Sequence, residues 1–172
     1  MPHHFLLWLA GFAMSMLMGA TAQAALLIEI DKSAQQMTVT LNGERLYTWP
    51  VSTGNEEYDT PSGTFTPFRM EIDHRSDEWD NAPMPYSIFF TDTGVAVHGT
   101  YEGRSLGRAV SHGCVRLSVK NAATLWKLVK QEKMANTSVV VTGDMAEDAL
   151  QGWRISPVIR SRRPLESICS HC

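Results

Sequence analysis

The sequence predicts a mainly β fold with one main α-helix, and three observations support this. Short runs such as Met37–Leu41 alternate apolar and polar residues with the period of two that suits a half-buried sheet. Asn42 and Gly43 follow that run directly, and this dipeptide is a strong signal for a two-residue hairpin. Only the segment after Ser118 carries a convincing helical spacing of apolar residues. We therefore expect sheets with one helix packed against them.

The expected strands are short and follow one another along the chain. The first two are Leu26–Asp31 and Met37–Leu41, and a third runs from Leu46 to Ser52, with Pro50 indicating a sheet edge or a bulge. Further extended runs are expected at Gly63–Arg69, Tyr86–Thr91, Gly94–His98 and Ser138–Thr142. A length of 172 residues with 44% hydrophobic content suits one domain with a substantial core.

The predicted helix begins at Ser118, which is a good N-cap residue. Its apolar stripe has the spacing i, i+3, i+4, i+7 and is interpreted as core packing; the stripe consists of Ala122, Leu125, Trp126 and Val129. Because this helix follows the loop that contains Cys114, its packing is expected to hold that loop in place.

The stretch from Met70 to Met84 is polar, rich in acids and without a clear period, so it is predicted to be a long surface loop. Such loops often cover a site. The acidic residues between Glu56 and Asp80 are interpreted as a solvated surface, with attraction of an amine-bearing substrate as the alternative.

The two ends of the chain are expected to lie outside the folded domain, which is assigned to residues 25–143. Residues 1–24 resemble a secretory signal peptide, with an apolar run from Phe5 to Met18 and a small-x-small pattern before Ala25. A retained N-terminal anchor is the alternative, since Lys and Arg are absent before that run. Residues 144–172 are predicted to be a partly mobile extension, with a short helix at Asp144–Leu150. The expected signal peptide predicts export to the periplasm or cell wall, with no stable membrane span after its cleavage.

Composition excludes some function classes and leaves one cysteine prominent. The net charge is −3 with no basic stripe, which argues against nucleic acid as a partner. In an oxidising compartment Cys169 and Cys172 could pair with each other, leaving Cys114 free. Cys169, His171 and Cys172 could instead bind a metal, but three ligands fall short of a closed zinc site, so no metal site is assigned.

Cys114 lies within Ser111–Leu117 (SHGCVRL), and two histidines, His98 and His112, are candidates to activate it. A catalytic cysteine needs a base or a cation to hold it as a thiolate. Gly113 tolerates backbone angles that would turn consecutive N–H groups toward a point beside the sulfur, as a developing oxyanion requires. The alternative is a buried structural cysteine with two core histidines.

Three stretches in this order resemble the catalytic domain of the L,D-transpeptidases of bacterial cell walls, also called the YkuD or ErfK-type domain. They are Thr60–Phe65 (TPSGTF), His98–Thr100 (HGT) and Ser111–Leu117, and the likeness extends over Leu26–Gly143. The resemblance implies a mixed β-sheet sandwich with its main helix after the catalytic loop, and no cofactor.

By position, the resemblance makes Cys114 the nucleophile and His98 its base, oriented by the carbonyl of Gly99. It assigns the oxyanion hole to the amides of His112, Gly113 and Cys114. Which histidine is the base stays open, with His98 favoured.

Four further residues are candidates for substrate binding. Ser111 is expected to support the loop or bind substrate, and Arg116 to hold a substrate carboxylate or to brace the loop through an ion pair. Thr100 and Tyr86 complete this set. Asp73, His74 and Asp92 are set aside because their segments look exposed.

The implied reaction is acyl transfer on peptidoglycan. Cys114 would attack the carbonyl of the third residue of a tetrapeptide stem and release D-alanine, and an amine of another stem would resolve the thioester into a 3→3 crosslink. An envelope protein is a possible acceptor, and carbapenems are expected to acylate the same sulfur. The alternatives are an L,D-carboxypeptidase or amidase with water as acceptor, and a non-catalytic wall-binding module.

Overall fold

The computed structural model describes residues 25–143, which form nine strands and one α-helix. The strands are β1 (Leu26–Asp31), β2 (Gln36–Leu41), β3 (Glu44–Pro50), β4 (Gly63–Phe65), β5 (Arg69–Arg75), β6 (Pro83–Phe89), β7 (Ala96–Thr100), β8 (Val115–Ser118) and β9 (Thr137–Thr142), and the helix is α1 (Val119–Glu132). The expected signal peptide, the short helix at Asp144–Leu150, the mobile tail, Cys169 and Cys172 all lie outside the described residues.

The strands form two mixed sheets, as predicted. The first has the order β3-β2-β1-β9-β4, in which β1 and β9 are parallel and the other pairs antiparallel. The second has the order β5-β6-β7-β8, in which only β7 and β8 are parallel. Parallel neighbours need a crossover rather than a hairpin, and residues 101–114 form the crossover between β7 and β8. The helix α1 connects β8 of the second sheet to β9 of the first.

The best-patterned elements lie where the sequence predicts them. Asn42 and Gly43 have φ angles of 50° and 84°, which are the positive values a two-residue hairpin turn requires. β3, which ends at Pro50, is a sheet edge. The Ser118 hydroxyl accepts a hydrogen bond from the Asn121 amide at 3.2 Å, confirming the N-cap of α1.

One core joins both sheets and the helix. It contains Ile28 from β1, Val139 from β9, Val97 from β7, and Leu125 and Val129 from α1, all of them buried. The helix packs against β6, β7 and β8 and also reaches β1. The apolar stripe of α1 therefore packs the second sheet against the rest of the molecule, including β8, which directly follows the cysteine loop. No helix within residues 25–143 is long and apolar enough to cross a membrane.

Two strand predictions are corrected by the structure. The expected run Gly63–Arg69 is two strands, because the chain leaves β4 after Phe65 and enters β5, in the other sheet, at Arg69. The predicted loop Met70–Met84 is mostly a β-hairpin, β5 and β6, with a turn at residues 76–82. Because β5 is an edge strand that is largely exposed, its sequence needs no apolar alternation, and the strand was missed for that reason.

Candidate active site

The predicted site residues meet at a cavity of about 320 Å³ on one face of the second sheet. Six of the nine residues predicted to form the site line this cavity: His98, Thr100, Ser111, His112, Cys114 and Arg116. Gly99 and Gly113 do not line it, but the Gly99 carbonyl contacts His98 and the Gly113 amide donates to Ser111. Tyr86 lies elsewhere, as described below.

Parallel pairing between β7 and β8 explains why these residues share a face. Val97 pairs with Val115, and His98 pairs with Arg116. Side chains alternate along a strand, so Cys114, one residue before Val115, lies on the same side as Arg116. Residues separated by 16 positions in the sequence thus become neighbours on two adjacent strands.

His98 is held in one tautomer by the backbone. Its Nδ1 lies 2.8 Å from the Gly99 carbonyl oxygen, which can only accept, so Nδ1 carries the proton and the neutral ring leaves Nε2 as its basic atom. The side chain is buried. Burial lowers the pKa of His98 from 6.5 to about 4; the hydrogen bond to Gly99 opposes this, and the charges of Arg116 and His74 add to it.

Cys114 lies in an apolar part of the cavity, against Met84, Phe89 and Ala96. Burial raises the pKa of the Cys114 thiol and Glu78 raises it further, while backbone hydrogen bonding with Ala96 and the charge of Arg116 oppose the change. Together with the lowered pKa of His98, this favours a neutral thiol and a neutral imidazole in the free protein. That state differs from the preformed thiolate that the sequence suggested.

The loop that carries Cys114 is braced by its own side chains. The Ser111 hydroxyl donates to the Cys114 carbonyl and accepts from the Gly113 amide at 3.2 Å. Gly113 has a φ of +106°, a region that other residues rarely adopt. Of the three amides predicted for an oxyanion hole, that of Gly113 is therefore already engaged, and those of His112 and Cys114 remain candidates. The geometry of Ser111 fits loop support.

Arg116 lies close enough to His98 and Cys114 for its charge to act on both, and it is only loosely paired. Its Nη1 is 3.4 Å from an oxygen of Glu102, whose side chain is 74% exposed. Such a long, solvent-exposed ion pair contributes little. The Thr100 hydroxyl, on the same face, accepts a hydrogen bond from the Glu102 amide at 3.1 Å.

His112 has a different environment from His98. It is exposed, and its ring stacks on Trp79 with centroids 3.8 Å apart and planes 7° apart. Tyr58 contacts the same ring edge-on at 5.2 Å. Trp79 belongs to the turn between β5 and β6, so this aromatic cluster joins that turn to the cysteine loop.

The β5–β6 hairpin forms a second wall of the cavity, which sequence reasoning missed. The sequence predicts an exposed segment around His74, but the His74 side chain is mostly buried and lines the cavity. Its Nδ1 lies 2.7 Å from Glu71, and its ring meets Phe89 edge-on at 5.0 Å. Arg69 lies over the same phenyl ring, 3.6 Å from its centroid. The only available signal was the mixture of aromatic and charged residues in this stretch.

Tyr86 is not part of the cavity, contrary to prediction. It packs against the core, and its ring lies 6.5 Å from that of Trp126 on α1. Strict alternation from Met84, which faces the cavity, would place Tyr86 on the same side. Tyr86 instead has a φ of +58°, which interrupts the alternation, so Tyr86 and Ile88 face the core and Phe89 faces the cavity again.

Comparison with known proteins agrees with this architecture. Residues 26–142 match the YkuD family, the L,D-transpeptidase catalytic domain. The chain is 28% identical over 102 residues to the putative L,D-transpeptidase YkuD of Bacillus subtilis, covering 59% of each chain. It is 38% identical over 104 residues to L,D-transpeptidase 1 of Mycobacterium tuberculosis, covering 53% of this chain and 41% of the relative. The chain thus spans less than two thirds of the length of these relatives.

Solved structures give the same result. An L,D-transpeptidase from Mycobacterium smegmatis superposes with a TM-score of 0.63 at 28% identity, over 70% of this chain and 59% of that one. A structure of the transpeptidase LdtMt1 in complex with imipenem superposes with a TM-score of 0.60 at 30% identity, over 69% of this chain and 59% of that one. The two mixed sheets, the helix after the cysteine loop and the match over residues 26–142 lead to one conclusion: this chain belongs to the L,D-transpeptidase catalytic-domain family.

Proposed function

We propose that the protein is a cysteine-dependent L,D-transpeptidase that acts on peptidoglycan tetrapeptide stems. The observation that carries this proposal is one cavity that contains a cysteine, a histidine in a fixed tautomer and the backbone of a braced glycine loop. These are the nucleophile, the base and the amide donors that acyl transfer needs.

In the first step Cys114 Sγ attacks the carbonyl carbon of the third stem residue. His98 Nε2 takes the thiol proton as the C–S bond forms, and the carbonyl oxygen becomes an oxyanion that faces the loop amides. The C–N bond then breaks, the proton passes from His98 to the leaving nitrogen, and D-alanine departs. Proton transfer during attack suits a pair that is neutral at rest.

In the second step an acceptor amine attacks the thioester. His98 removes a proton from the amine and returns it to the departing sulfur, which restores the free enzyme. With a side-chain amine of another stem the product is a 3→3 crosslink, and an envelope protein would be an alternative acceptor. The site of action in this proposal is the periplasm or cell wall.

Arg116 is proposed to bind a carboxylate of the substrate. Its guanidinium faces the cavity, and its long contact with exposed Glu102 leaves the donors available for a two-pronged contact. Loop bracing, the alternative considered from sequence, is already provided by the Ser111 hydroxyl.

Mass spectrometry with a synthetic tetrapeptide stem, with and without an amine acceptor, tests this function. We expect an adduct on Cys114, released D-alanine and an acceptor-dependent crosslinked product, none of them with Cys114→Ala. Hydrolysis without crosslinking would contradict transpeptidation and support a carboxypeptidase. Absence of any adduct would support a non-catalytic wall-binding module. Imipenem, which LdtMt1 binds in its solved complex, provides a second acylating probe of Cys114.

A further inference from the structure

A buried lysine that the proposed reaction does not use lies behind the cysteine loop. Lys32 follows β1 and is only 1% exposed. Its Nζ donates to both carboxylate oxygens of Asp59, at 2.9 and 2.7 Å, and to the Thr60 carbonyl at 2.9 Å. Lysine is almost never fully buried unless it is paired in this way. The arrangement fixes the backbone of Thr60.

The Thr60 side chain connects this anchor to the cysteine loop. Its hydroxyl donates to the Gly113 carbonyl at 2.8 Å and accepts from the Gly54 amide at 2.9 Å. Thr60 is completely buried and does not line the cavity, so it supports the loop from the side opposite the substrate. With its donor and one acceptor position in use, the hydroxyl has one favoured orientation.

Planarity of the peptide bond carries this constraint to the reacting residue. The Gly113 carbonyl and the Cys114 N–H belong to the same trans peptide and point in opposite directions. A carbonyl held by Thr60 behind the loop therefore directs the Cys114 N–H toward the cavity. Because Ser111 already engages the Gly113 amide, the Cys114 amide is the oxyanion donor that this contact controls.

We propose that Thr60 is a positioning residue: its backbone is anchored by the buried Lys32 ammonium, and its hydroxyl orients the Gly113–Cys114 peptide so that the Cys114 N–H meets the developing oxyanion. This inference rests on the cysteine chemistry of the proposed function. It assigns to the threonine of the TPSGTF stretch a part in transition-state stabilisation without contact with substrate.

The experiment compares two reactions of the same sulfur in Thr60→Val. Acylation by imipenem passes through an oxyanion, whereas alkylation by iodoacetamide displaces iodide from a CH₂ carbon and forms none. Removal of an oxyanion donor lowers rates by about 10²–10³-fold, so a misdirected donor should slow acylation by at least about tenfold. Alkylation should stay within about twofold of the wild-type rate.

Two further variants separate positioning from damage to the fold. Thr60→Ser keeps the hydroxyl and should restore most of the acylation rate. Thr137→Val removes another buried threonine hydroxyl, which donates to the Lys133 carbonyl away from the site, and should acylate like the wild type.

Equal acylation by Thr60→Val and wild type would overturn the inference, and so would an equal loss of acylation and alkylation. If imipenem does not acylate the wild type, the inference fails together with the cysteine chemistry. Failure of the proposed function alone would look different. In that case imipenem would acylate the wild type, but the wild type would not turn over the tetrapeptide stem.

Discussion

The two walls of the cavity are built differently. The wall from β7, β8 and the cysteine loop is largely buried apart from the exposed His112, and backbone and hydroxyl contacts fix its groups: Gly99 orients His98, and Ser111 braces the loop of Cys114. The wall from the β5–β6 hairpin consists of the exposed edge strand β5, a turn that carries Trp79 and Glu78, and the mostly buried strand β6. Strand β6 is hydrogen-bonded to β7 in the same sheet, whereas the turn contacts the cysteine loop through side chains, chiefly the stack of Trp79 on His112.

From this contrast we expect the two walls to have different roles. Proton transfer and acyl transfer need geometry held to fractions of an ångström, which a buried, hydrogen-bonded wall can provide. Recognition of a stem peptide tolerates looser contacts, which the exposed strand β5 and the turn that follows it can provide. Changes in the first wall should therefore alter the chemical step, and changes in the second should alter substrate binding.

The largest expected effect separates the two histidines. His98→Gln should slow acylation of Cys114 by about 10²–10⁴-fold, because it removes the base. His112→Gln, the matched exposed control, should change the rate constant of acylation by less than about fivefold, because it loses only the aromatic contacts with Trp79 and Tyr58. Single-turnover intact-mass kinetics measure both.

If His98→Gln acylates at the wild-type rate while His112→Gln does not, the histidine assignment is reversed. Equal losses in both would contradict the assignment of His98 alone as the base.

The buried wall should also make stability depend on pH. Between about pH 6.5 and pH 4 the unfolded chain binds a proton on His98 that the folded chain does not, so stability falls as pH falls through this window. The loss attributable to His98 should reach about 3 kcal/mol near pH 4. Urea unfolding gives the free energy of unfolding of the wild type and of His98→Gln at each pH, and the difference between the two pH profiles measures this loss.

His112→Gln is the control for the loss of a histidine at an exposed position. Parallel profiles for the wild type and His98→Gln would show that His98 is not buried in its neutral form.

A smaller effect is expected from the hairpin. Trp79→Ala removes the stack on His112 and the edge contact with Tyr58, at 3.8 and 5.3 Å between centroids. Aromatic pairs contribute about 0.5–1.5 kcal/mol beyond their buried area, so KM for the stem should rise by about 2–10-fold with little change in kcat. A fall in kcat at constant KM would assign Trp79 to the chemical step instead.

The smallest effect concerns charge on the same wall. Glu78 lines the cavity and is exposed, so Glu78→Gln should raise KM for an amine acceptor by about twofold at low salt and have no effect at high salt. The stem donor, titrated in parallel, serves as the internal control. A salt-independent change would indicate a direct structural role rather than attraction of the amine.

The fold could be predicted where a strand or helix buries one face and exposes the other. β2 alternates between core and solvent, and α1 presents a stripe, so both patterns appear in the sequence. β5 could not be recognised, because an edge strand with two largely exposed faces needs no pattern. β8 was read as part of the cysteine loop, since its four residues are too few to show a period.

The residues of the site could be predicted from the sequence, but their surroundings could not. The resemblance to the family motifs predicts that Cys114, His98 and the Gly99 carbonyl come together, and the structure places His98 and Cys114 at one cavity, with the Gly99 carbonyl on the His98 ring. His74 and Trp79 reach the cavity only because the β5–β6 hairpin folds over it, and no local pattern reports such a contact. Tyr86 was misplaced because a positive φ in a strand is a tertiary effect.

We expect Cys114 and His98 to form a neutral pair in the free protein, and the pH dependence of Cys114 alkylation tests this expectation most directly. Because burial raises the pKa of this thiol, the rate of reaction with iodoacetamide should keep rising with pH beyond the midpoint of an ordinary cysteine. A rate that is already constant at neutral pH and falls only in acid would reveal a preformed thiolate and contradict this expectation.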